Sequence, residues 1–229
     1  PRSTRVRSSA AQMCIRDRAQ SEHHPARAVG AVSARNRWAA ATLALLALSA
    51  CSAAGPPPRI YVLGDAPPAR SVSVSQLAEP VVEVKPVLVP DYLDTTDILT
   101  RRAGGQMMAS RTARWGERLS IGVQRAVAQS LAARLPLLAV VTPPPLESPW
   151  RQVLIDIDAF AAQSDGTCIL AGRWSIRESR GGKLLDEDKI SIVGPVGKAT
   201  DADVVGAMTQ QLDDLAERIA SALQRQPRR

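Results

Sequence analysis

Apolar residues recur with two different periods along the chain, and the two periods predict two kinds of element. From Trp115 to about Leu135, and again from Thr200 to about Gln226, apolar residues return every three or four positions, which predicts two amphipathic helices. Shorter apolar or alternating segments predict strands, at residues 59–63, 81–89, 97–101, 106–110, 137–141, 153–157, 167–178 and 183–193. Strands and a helix, followed by further strands and a second helix, predict a single α/β domain with a mixed β-sheet and two main amphipathic helices packed on it.

Three details of this pattern lead to predictions about position. Thr200 and Asp203 have the spacing of a capping box, so the second helix should begin there. Pro86 lacks the amide hydrogen that a sheet ladder needs, so the strand at 81–89 is expected at an edge or at a bulge. Trp115 stands at the start of the first predicted helix, where we expect its side chain to pack in the core.

One apolar run does not belong to this domain pattern. Residues 39–50 form a run of twelve mostly apolar residues, with Arg35 and Arg37 just before it. A stable transmembrane helix takes about 20 apolar residues, so the run is too short to span a bilayer. A basic segment, a short apolar segment and small residues at its end are typical of a secretory signal. The alternative is a buried core helix, but the Gly-Pro-Pro-Pro that soon follows Cys51 cannot be helical.

The end of this apolar run carries a lipidation signal. Leu48-Ser49-Ala50-Cys51 resembles the bacterial lipobox, in which a leucine and two small residues precede an invariant cysteine. The resemblance implies cleavage before Cys51 and acylation of that residue. Several acyl chains attach a protein lastingly, because each buried methylene contributes about 0.8 kcal/mol. Ser52, where an inner-membrane lipoprotein tends to have Asp, favours the outer membrane. We therefore expect a lipid-anchored protein that faces the periplasm of a Gram-negative bacterium.

Composition divides the chain into three parts. Residues 1–50 form the leader; its first thirty residues are unusual for a signal peptide and include Gln12–Arg18, which looks like translated adaptor sequence, so residues 1–30 are interpreted as non-native. Residues 51–58 are rich in Pro, Gly and Ala and predict a flexible tether. Residues 59–226 contain the predicted strands and helices and are expected to be the folded domain.

The net charge of +7 does not belong to the folded domain. The whole chain has 29 basic and 22 acidic residues, of which residues 1–50 hold eight and two. Residues 51–229 therefore carry 21 basic and 20 acidic residues, a surplus of one. A nearly neutral domain lacks the basic footprint of a nucleic-acid-binding protein, so no nucleic-acid partner is expected.

Catalytic chemistry has little support in the domain. His23 and His24 are the only histidines of the chain and lie in the leader, which excludes Ser-His-Asp and Cys-His arrangements and most zinc sites from the domain. Cys168 lies in an apolar strand pattern and is predicted to be a buried small side chain. Asp156 and Asp158 share one strand face, and we interpret that face as solvated rather than as an acid–base pair. The sequence predicts no catalytic, metal or cofactor site.

Three short motifs stand out between residues 90 and 117. They are Pro90-Asp-Tyr92-Leu93-Asp94, Ile98-Leu-Thr100-Arg101 and Arg114-Trp115-Gly-Glu117. Together with Tyr61-x-Leu63 and Arg173-Trp174, they resemble the ABC-type transport auxiliary lipoproteins, over roughly Arg59 to Leu223. The chain departs from the family pattern at Thr95-Thr96, where Arg-Pro is common, and at Arg118, where Pro is common.

The resemblance implies a subunit of a transport system that moves lipid or hydrophobic solutes between the inner and outer membranes. Its partners would be a mammalian-cell-entry (MCE) domain protein and, through it, an inner-membrane permease and ATPase. Homo-oligomerisation is left open. The alternative is a stand-alone periplasmic lipoprotein that binds a small ligand, whereas an anchored hydrolase is disfavoured by the missing histidine.

The motif residues are divided between two expected roles. Tyr92, Asp94 and Arg101 lie in a predicted loop region, and Tyr and Arg are enriched among interface hot spots, so this set is the candidate partner-docking site. In the alternative interpretation, Arg101 pairs with Asp94 or Asp97 and only pins the loop. The motif residues expected to have structural roles are Pro90, Leu93, Trp115 and Glu117.

Overall fold

The computed structural model describes residues 56–64, 80–143, 148–198 and 200–227. Residues 54–229 form one compact unit, and the described residues all lie within it. The predicted leader and Cys51 lie outside the described residues, so the predictions made for them stay predictions.

The described residues form eight strands and two α-helices, which confirms the predicted α/β domain with a mixed sheet. The strands are β1 (Arg59–Tyr61), β2 (Val81–Val84), β3 (Asp97–Arg101), β4 (Met107–Trp115), β5 (Ala139–Val141), β6 (Arg151–Gln163), β7 (Thr167–Glu178) and β8 (Leu184–Pro195). The helices are α1 (Leu119–Arg134) and α2 (Asp201–Gln224). None of the described helices has the length and apolarity for a membrane crossing.

Strand β6 is the centre of the sheet. Along one edge it pairs antiparallel with β7, which in turn pairs antiparallel with β8. Two strands share its other edge: β2 lies parallel beside its first residues and β3 lies parallel beside its last residues. Strand β4 forms a hairpin with β3 and pairs parallel with β1, while β5 pairs parallel with β2. A 13-residue strand is needed for this arrangement, because two shorter strands must fit along one of its edges.

Both helices cover one face of this sheet. Helix α1 packs against α2 and β5, and α2 also packs against β7 and β8. The predicted apolar stripe of α2 is buried almost throughout, and its start has the predicted capping box: the Asp203 amide donates to Thr200 Oγ1 at 3.2 Å, and the Thr200 amide donates to Asp203 Oδ2 at 3.1 Å. Burial of apolar area at about 25 cal/mol per Å² is what holds such a helix on a sheet.

A bulge in β6 keeps the core face apolar along the whole strand. Alternation points Val153, Ile155 and Ile157 toward the helices, and after the bulge Phe160 is buried as well. The extra residue shifts the alternation by one position, as bulges do. Gly172 of β7 lies opposite, where a Cβ atom would overlap the Asp156 carbonyl, so only glycine fits there.

The helical position predicted for Trp115 was wrong, and the prediction for Pro86 was right only in part. Helix α1 begins at Leu119, and Trp115 is the last residue of β4, because its backbone pairs with Tyr61 of β1 and continues the strand. Strand β2 is not at an edge, because it lies between β5 and β6. The alternative of a bulge fits, because Val84 lies opposite Val153 and Leu88 opposite Asp156, so the segment with Pro86 has one residue more than β6.

Candidate docking site

A neighbouring loop caps the first turn of α1. The residue at the N-cap position, Arg118, makes no capping hydrogen bond with its side chain. Instead, the amide of Ser120 donates to Asp94 Oδ1 at 3.0 Å, and the amide of Leu119 donates to the Thr95 carbonyl at 3.2 Å. These bonds satisfy two of the amides that a helix start leaves free, and they place a carboxylate at the positive end of the helix dipole.

The charge of Asp94 is stabilised in this position. Burial raises the pKa of its carboxyl, but hydrogen bonds from Ser120 and the nearby Arg118 guanidinium outweigh burial, so the pKa lies below its ordinary value. Arg118 Nη2 lies 2.7 Å from Asp94 Oδ2, and Arg118 Nε donates to the Asp94 carbonyl at 3.3 Å. The departure from the family pattern at Arg118 therefore supplies a cation for Asp94.

The Arg-Trp motif joins the end of β4 to its neighbours. Trp115 is 5% exposed, as expected of a core side chain, and its amide donates to the Thr96 carbonyl at 2.8 Å. The next amide, that of Gly116, donates to the Tyr61 carbonyl at 2.7 Å. Arg114 Nε lies 3.0 Å from Asp97 Oδ1. Backbone and charge contacts therefore connect β1, β3 and β4 at one point.

Glu117 extends this connection to α1. Its Oε1 lies 2.8 Å from Arg125 Nη2 and accepts from Arg125 Nε at 2.9 Å. Arg125 Nη2 also donates to the carbonyl of Leu63, at 2.9 Å, just after β1. Leu63 itself is buried. We call Asp94, Asp97, Arg114, Trp115, Glu117, Arg118 and Arg125 the helix-start cluster.

The turn before β3 is held by the same cluster but exposes one aromatic side chain. The Leu93 amide donates to the Pro90 carbonyl at 2.8 Å, and the Leu93 side chain is 2% exposed. Tyr92 between them is 52% exposed. The structural roles expected of Pro90 and Leu93 therefore fit their contacts, while Tyr92 is left free to meet a partner.

Leu88 is a second exposed apolar side chain in the same segment, and the sequence analysis did not single it out. It is 63% exposed. Its backbone is fixed against the middle of β6, since its amide donates to the Ile155 carbonyl at 3.0 Å and its carbonyl accepts from the Ile157 amide at 2.8 Å. Leu88 is therefore an exposed side chain on an anchored backbone, and Tyr92 is an exposed side chain in a turn that the Leu93–Pro90 hydrogen bond closes.

Arg101 does not lie with Tyr92 and Asp94. It is the last residue of β3, opposite Met107 and Gln163, whereas the turn that holds Tyr92 precedes the first residue of β3. A strand of this length spans about 13 Å. The alternative pairing of Arg101 with Asp94 or Asp97 was wrong, because those carboxylates pair with Arg118 and Arg114.

The sheet face opposite the helices carries a partly exposed apolar row, in which Ala161 is buried. One residue from each of five neighbouring strands lies in register on this face. In order across the sheet they are Ala109, Leu99, Ala161, Ile169 and Val193. Val193 is 63% exposed. We call this face the open face and these five residues the apolar row. The sequence analysis missed the row, and apolar residues on the outward positions of β7 and β8 were its only signal.

The remaining chemistry of the described residues is structural. Asp156 on the open face forms a salt bridge with Arg173, while Asp158 is exposed, so the two carboxylates do not act as a pair. Burial raises the pKa of the Cys168 thiol to about 12, and such a thiol is not a nucleophile near neutral pH. No group of three or more His, Cys, Asp or Glu side chains suited to a metal ion occurs among the described residues.

A shallow cavity lies at the end of the sheet that contains Arg101. Its volume is about 760 Å³. Val196 and Val204 line one part of it. Its polar lining comes from Thr100, Arg102, Gln106, Gln163, Ser164 and Asp165.

The motif residues that form the helix-start cluster fall inside a family match. A model of the ABC-type transport auxiliary lipoprotein component family matches residues 61–220. The chain belongs to this family. The match covers all of the described strands except the first two residues of β1, all of α1 and most of α2, which confirms the resemblance recognised from the motifs. A comparison with curated proteins finds none with significant similarity to the chain.

Solved structures of the same fold are distant in sequence. A crystal structure of an uncharacterized protein is 17% identical, with a TM-score of 0.62 over 73% of this chain and 99% of that chain. A crystal structure of a protein from Xanthomonas campestris is 15% identical, with a TM-score of 0.53 over 71% of this chain and 90% of that chain. At these identities the similarity shows the fold alone. The family itself is a transport auxiliary lipoprotein family, which places this chain in the bacterial envelope as a component of an ABC-type transport system.

Proposed function

We propose that this auxiliary lipoprotein is the periplasmic subunit of an MCE-type transport system that moves lipid or hydrophobic solutes between the two membranes. Family membership carries this proposal, because an auxiliary component of an ABC transport system works through partner subunits. Acylated Cys51 would anchor the protein in the outer membrane. An MCE-domain protein would connect it to an inner-membrane permease and ATPase. The chain would act by docking, and energy coupling would belong to its partners.

Docking on the Leu88–Tyr92 segment fits the geometry best. Both side chains are more than half exposed, at 63% and 52%, and their backbone is already fixed by β6 and by the helix-start cluster. A surface that is ordered before binding loses little conformational entropy when a partner arrives. Tyrosine is also enriched among residues that dominate interface energies. Of the three docking residues predicted from the sequence, Tyr92 is thus the best placed, whereas Asp94 also caps α1.

Anchoring can be tested without the partner. Cells that express the full chain are labelled with a fatty acid, and incorporation is compared between the parent, Cys51→Ser and Cys168→Ser. We expect labelling to be lost only in Cys51→Ser, which should also appear as a soluble or unprocessed species. Unchanged labelling of Cys51→Ser would contradict the lipoprotein anchor, and Cys168→Ser controls for labelling of the buried thiol.

The partner can be tested by purifying the anchored protein from mild detergent and identifying proteins and lipids that remain bound. We expect an MCE-domain protein in the parent sample and a reduced amount with Tyr92→Ala. If the parent carries lipid but no MCE-domain protein, the transport-subunit proposal is wrong.

A second candidate function is that of a stand-alone lipoprotein that binds a small ligand. The cavity of about 760 Å³ favours it, because this volume falls in the range of ligand pockets and its lining combines polar groups with two valines. Gln163→Ala and Gln106→Ala should then abolish retention of a co-purifying small molecule without changing the amount of any bound protein.

A further inference from the structure

The β3–β4 hairpin has an unbalanced charge. Residues 97–115 contain four arginines and one acidic residue. Asp97 pairs with Arg114, which leaves Arg101, Arg102 and Arg111 exposed and without an acidic partner among the described residues. Three cations on one hairpin stand out in a domain whose overall charge is nearly neutral.

Two acids lie near the hairpin, but neither forms a salt bridge with these arginines. Asp165 shares the cavity lining with Arg102, but its carboxylate accepts hydrogen bonds from Thr167. Asp201 accepts from the Thr112 hydroxyl at 2.6 Å. Among the described residues, the hairpin therefore holds three exposed, unpaired arginines against these two nearby acids.

The tip of the hairpin also lies toward the start of β1, the strand that follows the predicted tether. Strand β1 runs parallel to β4 with Arg59 opposite Ala113, so β1 begins at its end nearer the hairpin tip and runs away from the tip. Seven residues lie between Cys51 and Arg59, and the eight steps from one Cα atom to the other span at most about 28 Å. The strand from Ala113 back to Met107 spans about 20 Å. An acylated Cys51 would therefore hold the membrane within reach of the hairpin tip.

We propose that Arg101, Arg102 and Arg111 contact the anionic phospholipid headgroups of the membrane in which the protein is anchored. The tip between the strands is Ala103-Gly104-Gly105, where Gly104 and Gly105 have φ angles of +76° and +82°. These small residues let Arg101 and Arg102 approach a flat surface, and Arg111, four residues after the start of β4, reaches that surface when the hairpin is tilted against it. The contact sets the orientation of the domain on the membrane and keeps the opposite end of the sheet, with Tyr92, turned toward the periplasm. This proposal rests on the anchoring at Cys51, but the charge of the hairpin can be tested without it.

The test uses the chain from residue 51 onward with Cys51→Ser, so that no acyl chain contributes. Partitioning onto phosphatidylcholine vesicles with 30% phosphatidylglycerol is measured by flotation and compared with pure phosphatidylcholine. Each basic residue near an anionic membrane contributes roughly fivefold to partitioning, so three contribute on the order of 100-fold. We expect Arg101→Gln, Arg102→Gln and Arg111→Gln together to lower partitioning onto the anionic vesicles at least tenfold.

The matched control changes three exposed arginines far from the hairpin. Arg177 and Arg180 lie at the other end of β7, Arg218 lies in the last third of α2, and all three lack an acidic partner among the described residues. Their replacement by Gln should lower partitioning by less than threefold, and urea unfolding should be the same for both triple variants.

Equal losses of partitioning in the two triple variants, or a parent protein that does not prefer anionic vesicles, would overturn the proposal. So would a hairpin variant that loses the protein partner but partitions normally, because the arginines would then bind an acidic protein surface. If the full chain is not acylated in cells but the chain from residue 51 onward still prefers anionic vesicles, the lipid anchor is refuted and the proposed contact of the hairpin is not.

Discussion

The helix-start cluster and the open face of the sheet are built in opposite ways. In the cluster, each charged residue has a partner: Asp94 with Arg118, Asp97 with Arg114, and Glu117 with Arg125. On the open face, an apolar row crosses five strands and includes Val193, which is 63% exposed. Four motif residues that resemble the family lie in the cluster, namely Asp94, Arg114, Trp115 and Glu117, whereas the row has only Leu99, at a variable position of a motif.

This contrast separates residues that build the fold from residues that are free to bind. A motif residue whose hydrogen bonds and charges are satisfied inside the chain has little left to offer a partner. Exposed apolar side chains are the reverse case, because covering them removes apolar area from water and favours association. We therefore expect changes in the cluster to lower stability, and changes at exposed apolar positions to leave stability unaltered.

The largest effect is expected at Trp115. Its side chain is 5% exposed, and truncation of a large buried aromatic removes packing and leaves a cavity. Trp115→Ala should lower the free energy of unfolding by roughly 3–5 kcal/mol, measured by urea denaturation. If the variant retains the stability of the parent, Trp115 belongs to an interface, and the helix-start cluster is not the purely structural region described above.

A pair of neighbouring residues on β8 tests the two faces of the sheet against each other. Ile192 is 8% exposed and faces the helices, whereas Val193 lies on the open face. Ile192→Thr should lower the free energy of unfolding by about 2 kcal/mol, because a methyl group is lost and a hydroxyl is buried. Val193→Thr should change it by less than about 0.5 kcal/mol, as surface substitutions do. Equal losses in urea denaturation would mean that the open face is covered.

A smaller effect is expected when the external cap of α1 is removed. Asp94→Ala should lower the free energy of unfolding by about 1 kcal/mol, the usual cost of losing a helix cap. The matched control is Asp91→Ala, because Asp91 is an exposed acid that caps no helix, and this change should have no measurable effect on the free energy of unfolding.

The contribution of Asp94 should also depend on pH. The pKa of its carboxyl is lower in the folded state than the ordinary 3.8, so ionised Asp94 stabilises the fold above that pH, and this contribution is lost as the pH falls through the folded-state pKa. The stability difference between the parent and Asp94→Asn should be constant above about pH 5 and shrink in stronger acid. A difference that grows in acid would contradict the assigned sign.

Local patterns predicted much of this fold, and non-local pairing accounts for what they missed. The apolar stripe and capping box of α2 were read correctly because both depend on residues a few positions apart. Trp115 was assigned to a helix because nothing near it reveals that its backbone pairs with Tyr61, which lies 54 residues earlier. Strand β6 is longer than the predicted 153–157 because the bulge shifts its alternation.

The candidate docking site was predictable only in part, for the same reason. Tyr92 could be predicted because an aromatic residue in a polar turn can be identified from a short stretch of sequence. Leu88 was hidden in a predicted strand, and the apolar row takes a single residue from each of five strands. Arg101 was grouped with Tyr92 because they are near in sequence, although they lie toward opposite ends of β3.

The most direct test of the account is the affinity of the double variant Leu88→Ser with Tyr92→Ser for the proposed partner, a purified MCE-domain protein, measured by titration beside urea unfolding. Leu137→Ser is the matched control, because Leu137 is 61% exposed and lies in the turn after α1. The account predicts binding weakened by at least about 2 kcal/mol, the usual hot-spot threshold, with an unfolding midpoint equal to that of the parent. Unchanged affinity together with a lowered midpoint would mean that the Leu88–Tyr92 segment is structural, which would contradict the account.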